Sequence, residues 1–241
     1  MPMKAITAQP SAPDFSLNEN MIRSIFRDAK PFGHHEDPLK LNLGFGFIYY
    51  AIARALRPKH VLVIGSGYGF SVVCFALAMR DNEWGQLSFI DPSYSLLRDG
   101  PMKTIGGRGT WDDPEKVKGR WRKFGVEGIV THYQMTSEAL FADYEQKKLP
   151  KIDLAFIDGS HTYEDVKKDF VNVVRVSRKD SYVFLHDTNI YFRELLHHAG
   201  VKRWLKVIAR AKEAFQIVDF PFASGVALIR VLEPKAWEQL A

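Results

Sequence analysis

Cysteine is nearly missing: Cys74 stands alone among 241 residues, so no internal disulfide can form. It lies in the apolar run 72–78, reads as a small core residue, and suits a reducing compartment. No stretch reaches the roughly 18 consecutive apolar residues that a membrane helix needs, and the first 15 residues lack the apolar run of a signal peptide. The expected location is therefore the cytoplasm, with no membrane partner. Internal repeats and low-complexity tracts are lacking too. The charge imbalance is small, +5, with Lys and Arg scattered over many segments, which favours a merely basic surface over a nucleic-acid footprint.

What is present is the composition of an ordinary globular chain, 46% hydrophobic and 25% charged, long enough for one α/β domain with a sizeable core. Residues 1–15, with Pro2, Pro10 and Pro13, read as a loose arm. Residues 18–29 read as a short helix, 31–38 as a loop carrying His34-His35-Glu36-Asp37, and 43–56 as a well-buried helix whose start Gly44 and Gly46 delay. The division expected is a 1–41 arm and cap segment, then a 42–241 domain with an insertion at 96–125.

After Pro58, the run His60-Val61-Leu62-Val63-Ile64 is continuous, apolar after its first residue and closed by glycine, the pattern of a strand buried on both faces. A helix at 70–79 follows. The alternation continues with strands at 87–90, 128–133 and 152–157, a helix at 163–177, a strand at 182–185 and a helix at 190–211. Tyr163, Val166, Phe170, Val173 and Val174 share one helical face, and Thr162 with Asp165 forms a capping pair. Strands at 214–220 and 225–231 are separated only by a Pro-Phe-Ala-Ser turn, too short for a parallel crossover. The expectation is an α/β doubly wound sheet of seven strands, mostly parallel with an antiparallel last strand and helices on both faces.

Between the first strand and its helix lies Gly65-Ser66-Gly67-Tyr68-Gly69. Such a turn lets backbone approach a ligand, and the helix N-terminus adds unpaired N–H groups. A dinucleotide fingerprint would need glycine at position 70, where Phe70 stands; the third glycine comes one residue early. Asp91, directly after the second strand, can accept from both hydroxyls of a ribose, or can serve as a turn or cap residue.

These residues resemble the class I S-adenosylmethionine (SAM) methyltransferases over about residues 43–231: Val-Leu-Val-Ile-Gly-Ser-Gly-Tyr-Gly resembles their first motif, and Phe-Ile-Asp-Pro their second-strand motif. The resemblance implies a Rossmann-like fold, and SAM held by Gly65, Ser66, Gly67, Tyr68, Gly69, Asp91 and Pro92. Thr136 and Ser137 would lie near the adenine. Val63 departs from the acidic residue often found two positions before the first glycine, which weakens the contact to the methionine end.

A second constellation sits at the ends of the next two strands. Asp158-Gly-Ser-His161 follows one and His186-Asp187 ends the other, at the edge of a parallel sheet where ligands bind. Two carboxylates there can hold a hard divalent ion such as Mg²⁺. The pattern resembles small-molecule O-methyltransferases of the macrolide-sugar and cephalosporin type. That resemblance implies Asp158 and Asp187 as metal ligands, with Asp158 also beside the cofactor, and His161 as general base. His186 stands where the relatives have Glu, and imidazole is a poorer Mg²⁺ ligand, so the ion is weakly held, softer or missing. The plain alternatives stay open: Asp158 as a cap or loop brace, His161 as a turn histidine. The adjacent pairs His34-His35 and His197-His198 read as surface features, and Trp204 as core.

The long insertion suggests a lid, with Arg108 and Trp111, aided by the segment around 34–37, covering the substrate. The reading is transfer of a methyl group to a hydroxyl of a small molecule or sugar, with a homo-oligomer left open. A nucleic-acid methyltransferase, favoured by Lys118, Arg120, Arg122 and Lys123, is the rival. Against it, Asp-Gly-Ser-His stands where amino-directed base methyltransferases carry Asn/Asp-Pro-Pro-aromatic. A nicotinamide oxidoreductase conflicts with the glycine spacing. A catalytically inactive SAM-binding protein is the third alternative.

Overall fold

The structure is a computed structural model that describes residues 15–93, 110–189 and 200–240. A seven-stranded sheet forms its centre, built from β1 (His60–Ile64), β2 (Gln86–Ile90), β3 (Val130–Tyr133), β4 (Ile152–Ile157), β5 (Ser177–His186), β6 (Phe215–Phe220) and β7 (Val226–Val231), in the order β3-β2-β1-β4-β5-β7-β6. The pairs from β3 to β5 are parallel, while β7 runs antiparallel to both β5 and β6. The four-residue turn had required that reversal.

Alternation along the strands explains why both faces are covered. Val61 and Val63 pack with Leu154, Phe156 and Phe184 on one side; Leu62 and Ile64 pack with Ala155, Ile157 and Leu185 on the other. The first face carries α1 (Glu19–Asp28), α2 (Phe45–Leu56), α3 (Phe70–Asn82) and α4 (Pro114–Lys123). The second carries α5 (Ser137–Ala142), α6 (Tyr163–Val176), α7 (Val201–Ile208) and the short α8 (Trp237–Leu240). Because α3 is buried nearly all round, its sequence shows no polar face. Tyr49 of α2 is wedged among Phe75, Phe156 and Phe184 with ring centroids 5.0–5.5 Å away, which binds the N-terminal helices to the sheet.

Local chemistry sets the ends of these elements. Asn18 caps α1 by accepting from Met21 N (3.1 Å), and Asp113 caps α4 ahead of Pro114. Thr162 accepts from Asp165 N and donates to its carboxylate (3.1 and 2.8 Å), as the capping pattern required. Strand β5 starts five residues earlier than expected. Its first segment, Arg178-Lys179-Asp180, is polar and exposed, and the register to β4 shifts there, between Ile152 and Leu154. Ser181 Oγ donates to Ile152 O (2.7 Å) and accepts from Arg178 N (3.0 Å), replacing ladder bonds through the bulge. Of the expected 190–211 helix, residues 190–199 lie outside the described residues. Among the described residues no helix is long and apolar enough to cross a membrane.

Candidate active site at the carboxyl edge of the sheet

The glycine loop joins β1 to α3 at the centre of that edge. Gly65, Gly67 and Gly69 have φ of 68°, 49° and 93°, left-handed values that glycine adopts without strain. At Gly65 a side chain is excluded outright: a Cβ would stand 2.4 Å from the Asp158 carbonyl oxygen. The loop therefore lies directly on the end of β4, and Asp158 N donates to Ile64 O (2.8 Å). Ser66 and Ser71 hydroxyls bond each other at 2.6 Å, closing the turn.

Asp91 ends β2 one strand away and is buried. Its Oδ1 accepts from Ser93 N (2.7 Å). Burial, reinforced by the charge of Asp158, pushes its carboxyl up to about 6 despite that bond. A carboxylate so short of donors gains by accepting two hydroxyls, and the set of Gly65, Gly67, Gly69 and Asp91 fits the ribose and methionine portions of SAM. Pro92 follows Asp91 at the strand end. Thr136 caps α5, accepting from Ala139 N (3.2 Å), and Ser137 donates to the buried Asp169 carboxylate (2.5 Å).

Two residues of the insertion support the loop from beneath. Trp111, expected as a substrate cover, is only 1% exposed: its Nε1 donates to Gly67 O (3.2 Å) and its ring stacks on Trp121. Arg120 donates to Tyr68 O (3.2 Å) and Asp28 O (3.1 Å) and lies over the Trp111 ring. The other cations of α4 are likewise engaged, Lys118 with Glu115, Arg122 with Glu127 and Lys123 with Asp28. Of these cations Arg120 braces the glycine loop, while Lys118, Arg122 and Lys123 stay largely exposed in their ion pairs. Arg108 lies outside the described residues, as do His197 and His198.

Beyond β4 and β5 the structure brings Asp158, His161, His186 and Asp187 together. His161 Nε2 is 3.2 Å from Asp158 Oδ1, and its Nδ1 is 3.2 Å from Asp187 Oδ2. Gly200 N donates to His161 O (2.6 Å), pinning its backbone. His186 Nδ1 faces Asp158 Oδ1 (3.0 Å) and Asp187 Oδ1 (3.3 Å). Asp187 reaches this position with φ 61°, a left-handed value that aspartate tolerates. Burial alone would lower the His186 pKa, but the two carboxylates outweigh it and hold it at about 9. Burial and Asp158 raise the Asp187 carboxyl against the pull of His186.

The cap segment supplies what sequence reasoning missed. His34 is buried rather than a surface feature, bonded to Tyr49 OH (3.1 Å) and stacked on His186 with centroids 4.3 Å apart. Burial and the neighbouring His186 hold its pKa well below the usual histidine value. Gly33 O and Ser224 Oγ lie 3.4 and 3.0 Å from His186 Nε2. His35 instead meets Phe222 at the rim. Trp204 is core, as expected.

Ligand atoms of Asp158, His161 and Asp187 lie within 4.8 Å of one another. Yet Asp158 Oδ1 and both Asp187 oxygens already face imidazole nitrogens, and the third member is itself an imidazole. A hard ion such as Mg²⁺, which takes oxygen ligands, does not fit this donor set.

Comparison with known proteins agrees with this architecture. Across 92% of both chains the fold matches the O-methyltransferase TomG from Streptomyces achromogenes, involved in tomaymycin synthesis and solved with SAM (TM-score 0.63, 16% identity). It also matches an O-methyltransferase from Bacillus cereus in complex with SAH, again over 92% of both chains (TM-score 0.61, 12% identity). A Sinorhizobium fredii relative, the uncharacterized protein y4gI, is 26% identical over 207 residues, which are 81% of this chain but only 20% of that protein's length. Residues 62–188, from β1 through the glycine loop and the Asp158–Asp187 cluster, match the family model described as a methyltransferase domain, and the chain belongs to that family.

Proposed function

We propose that the protein is a SAM-dependent O-methyltransferase acting on a hydroxyl of a small molecule or sugar. The observation that carries this reading is the placement of His161 between two carboxylates at the strand end on which the glycine loop rests. Gly65, Ser66, Gly67, Tyr68 and Gly69 would hold the methionine and ribose portions, Asp91 the ribose hydroxyls, and the region of Pro92, Thr136 and Ser137 the adenine.

SAM, when bound, supplies a methyl group on a positively charged sulfur, so the S–C bond breaks as the new O–C bond forms and S-adenosylhomocysteine is released. What this chain contributes is alignment and a proton acceptor. Asp158 and Asp187 flank the two ring nitrogens of His161, so they stabilise the imidazolium that a proton passing from the acceptor hydroxyl would form. One of the two His161–carboxylate contacts must give way so that the accepting nitrogen meets the hydroxyl.

Calorimetric titration with SAM and with NAD, repeated on Asp91→Ala, tests the cofactor. SAM binding that Asp91→Ala weakens at least tenfold, with no NAD binding, is the expected result; NAD binding alone would overturn it. With an acceptor in hand, His161→Gln should lower kcat about 10²–10⁴-fold while SAM affinity holds.

A further inference from the structure

We propose that His186 is a resident cation that takes the electrostatic place of a divalent metal between Asp158 and Asp187, so that methyl transfer here needs no metal and the acceptor is not chelated. The inference rests on the functional reading above for its chemistry, but not for its geometry.

Its basis is the hydrogen-bonding demand on both ring nitrogens. Nδ1 faces Asp158 Oδ1 and Asp187 Oδ1, atoms of two carboxylates. On the opposite side, Nε2 faces Gly33 O, a carbonyl that can only accept, and Ser224 Oγ. The single Ser224 hydrogen serves Gly33 O or the Asp187 carboxylate, which Ser224 also bonds, so its oxygen is left to accept from Nε2. Each nitrogen therefore needs its own hydrogen, and an imidazole with two N–H groups is a cation. Neither nitrogen keeps a lone pair for a metal.

The surroundings agree. His186 is 4% exposed, and a buried cation is tolerated only when paired, as it is here by two carboxylates. The ring stacked on it, His34, is neutral, its Nδ1 engaged with Tyr49 OH. A second positive ion could reach Asp158 Oδ1 and Asp187 Oδ1 only by displacing the Nδ1–H and approaching the imidazolium at contact distance. The same cation ties the cap segment, through Gly33, and the β6–β7 turn, through Ser224, to the site. An acceptor would then be held by one hydroxyl at His161 rather than through two adjacent oxygens on a metal.

The test is Mn²⁺ titration of the whole chain, following the free-ion signal by electron paramagnetic resonance, on wild type and His186→Glu, with SAM calorimetry on the same samples. Wild type should bind no Mn²⁺ at millimolar concentration, and His186→Glu should bind one ion per chain at least tenfold more tightly. Nitrogen-15 spectra of wild type at pH 7 should show both His186 nitrogens protonated, which decides the matter should His186→Glu not fold. One Mn²⁺ per wild-type chain, lost in Asp158→Asn, or a neutral His186 ring, overturns the inference. If SAM binds in that case, the methyltransferase reading stands; failure to bind SAM sinks that reading and leaves the charge of His186 to the spectra.

Discussion

The Trp111 indole nitrogen donates to the carbonyl of Gly67 across 3.2 Å, with the ring sandwiched against Trp121 at 5.3 Å and beneath the Arg120 guanidinium. A single insertion residue thus fixes the middle glycine of the loop proposed to bind SAM. Trp111→Phe keeps most of the packing and removes that one bond, worth about 0.5–1.5 kcal/mol. The expected result is SAM affinity weakened roughly two- to tenfold, with acceptor KM unchanged once an acceptor is known. An acceptor KM that rises while SAM affinity holds would return Trp111 to the role of substrate cover.

Asp91 gives SAM binding a pH dependence with a definite sign. Its carboxyl is pushed up to about 6 by burial and by Asp158, so below that pH the free protein carries it protonated, with one oxygen converted from acceptor to donor. Affinity should be full above about pH 7 and fall by up to roughly tenfold per unit below 6. Calorimetry at pH 5, 6 and 7.5 reads this, with Asp91→Asn as the control whose weaker binding is flat. A wild-type profile as flat as the control's would remove Asp91 from the ribose.

Most of the sheet could be read from the chain because its strands are buried on both faces. Runs such as Val61-Leu62-Val63-Ile64 and Ile152–Ile157 carry their own signal, and the short β6–β7 turn dictated the one reversal. The start of β5 was hidden, since its first residues are polar and pair only through a bulge. At the site, Asp91, Asp158, His161 and Asp187 announced themselves as polar residues at strand ends. Their supports did not. Gly33 meets His186 across 153 positions of sequence, and Arg120 meets Tyr68 across 52. Nothing local in Pro-Phe-Gly-His or in a basic helix reports such a partner. Adjacency to His35 is the one property of His34 that the sequence displays, whereas its burial comes from Tyr49, Phe70 and His186.

Asp169 should make stability fall as pH rises. It is 5% exposed on α6, accepts from Ser137 Oγ at 2.5 Å, and burial pushes its carboxyl up to about 7. A folded pKa above the unfolded one means that the protonated acid favours the folded state. That contribution is fully present below about pH 4 and is lost as pH passes through 7, on the order of 4 kcal/mol across the window. Asp169→Asn imitates the protonated form and can still accept from Ser137. Urea midpoints should lie close together at low pH, with the variant increasingly the more stable as pH approaches 8. Parallel profiles for the two proteins would place the cost elsewhere.

Gly200 and Gly119 predict opposite outcomes for the same substitution. At Gly200 a Cβ would stand 2.0 Å from Tyr163 Cα and 2.3 Å from Tyr163 N, backbone atoms that cannot step aside. The same backbone carries His161, whose carbonyl accepts from Gly200 N. Gly200→Ala must therefore push α7 away from the start of α6, at a cost of about 1–3 kcal/mol, or roughly 2–12 °C in Tm for a domain of this size. It should also reduce kcat, because His161 shifts with the turn, while SAM affinity, set on β1 and β2, is retained. Gly119, inside α4, has nothing within 4 Å of a built Cβ, so Gly119→Ala should stabilise by about 0.5–1 kcal/mol through helix propensity alone. Thermal melts of the two variants against wild type settle both signs, and a Gly200→Ala protein as stable and active as wild type would show that α7 does not hold His161 in place.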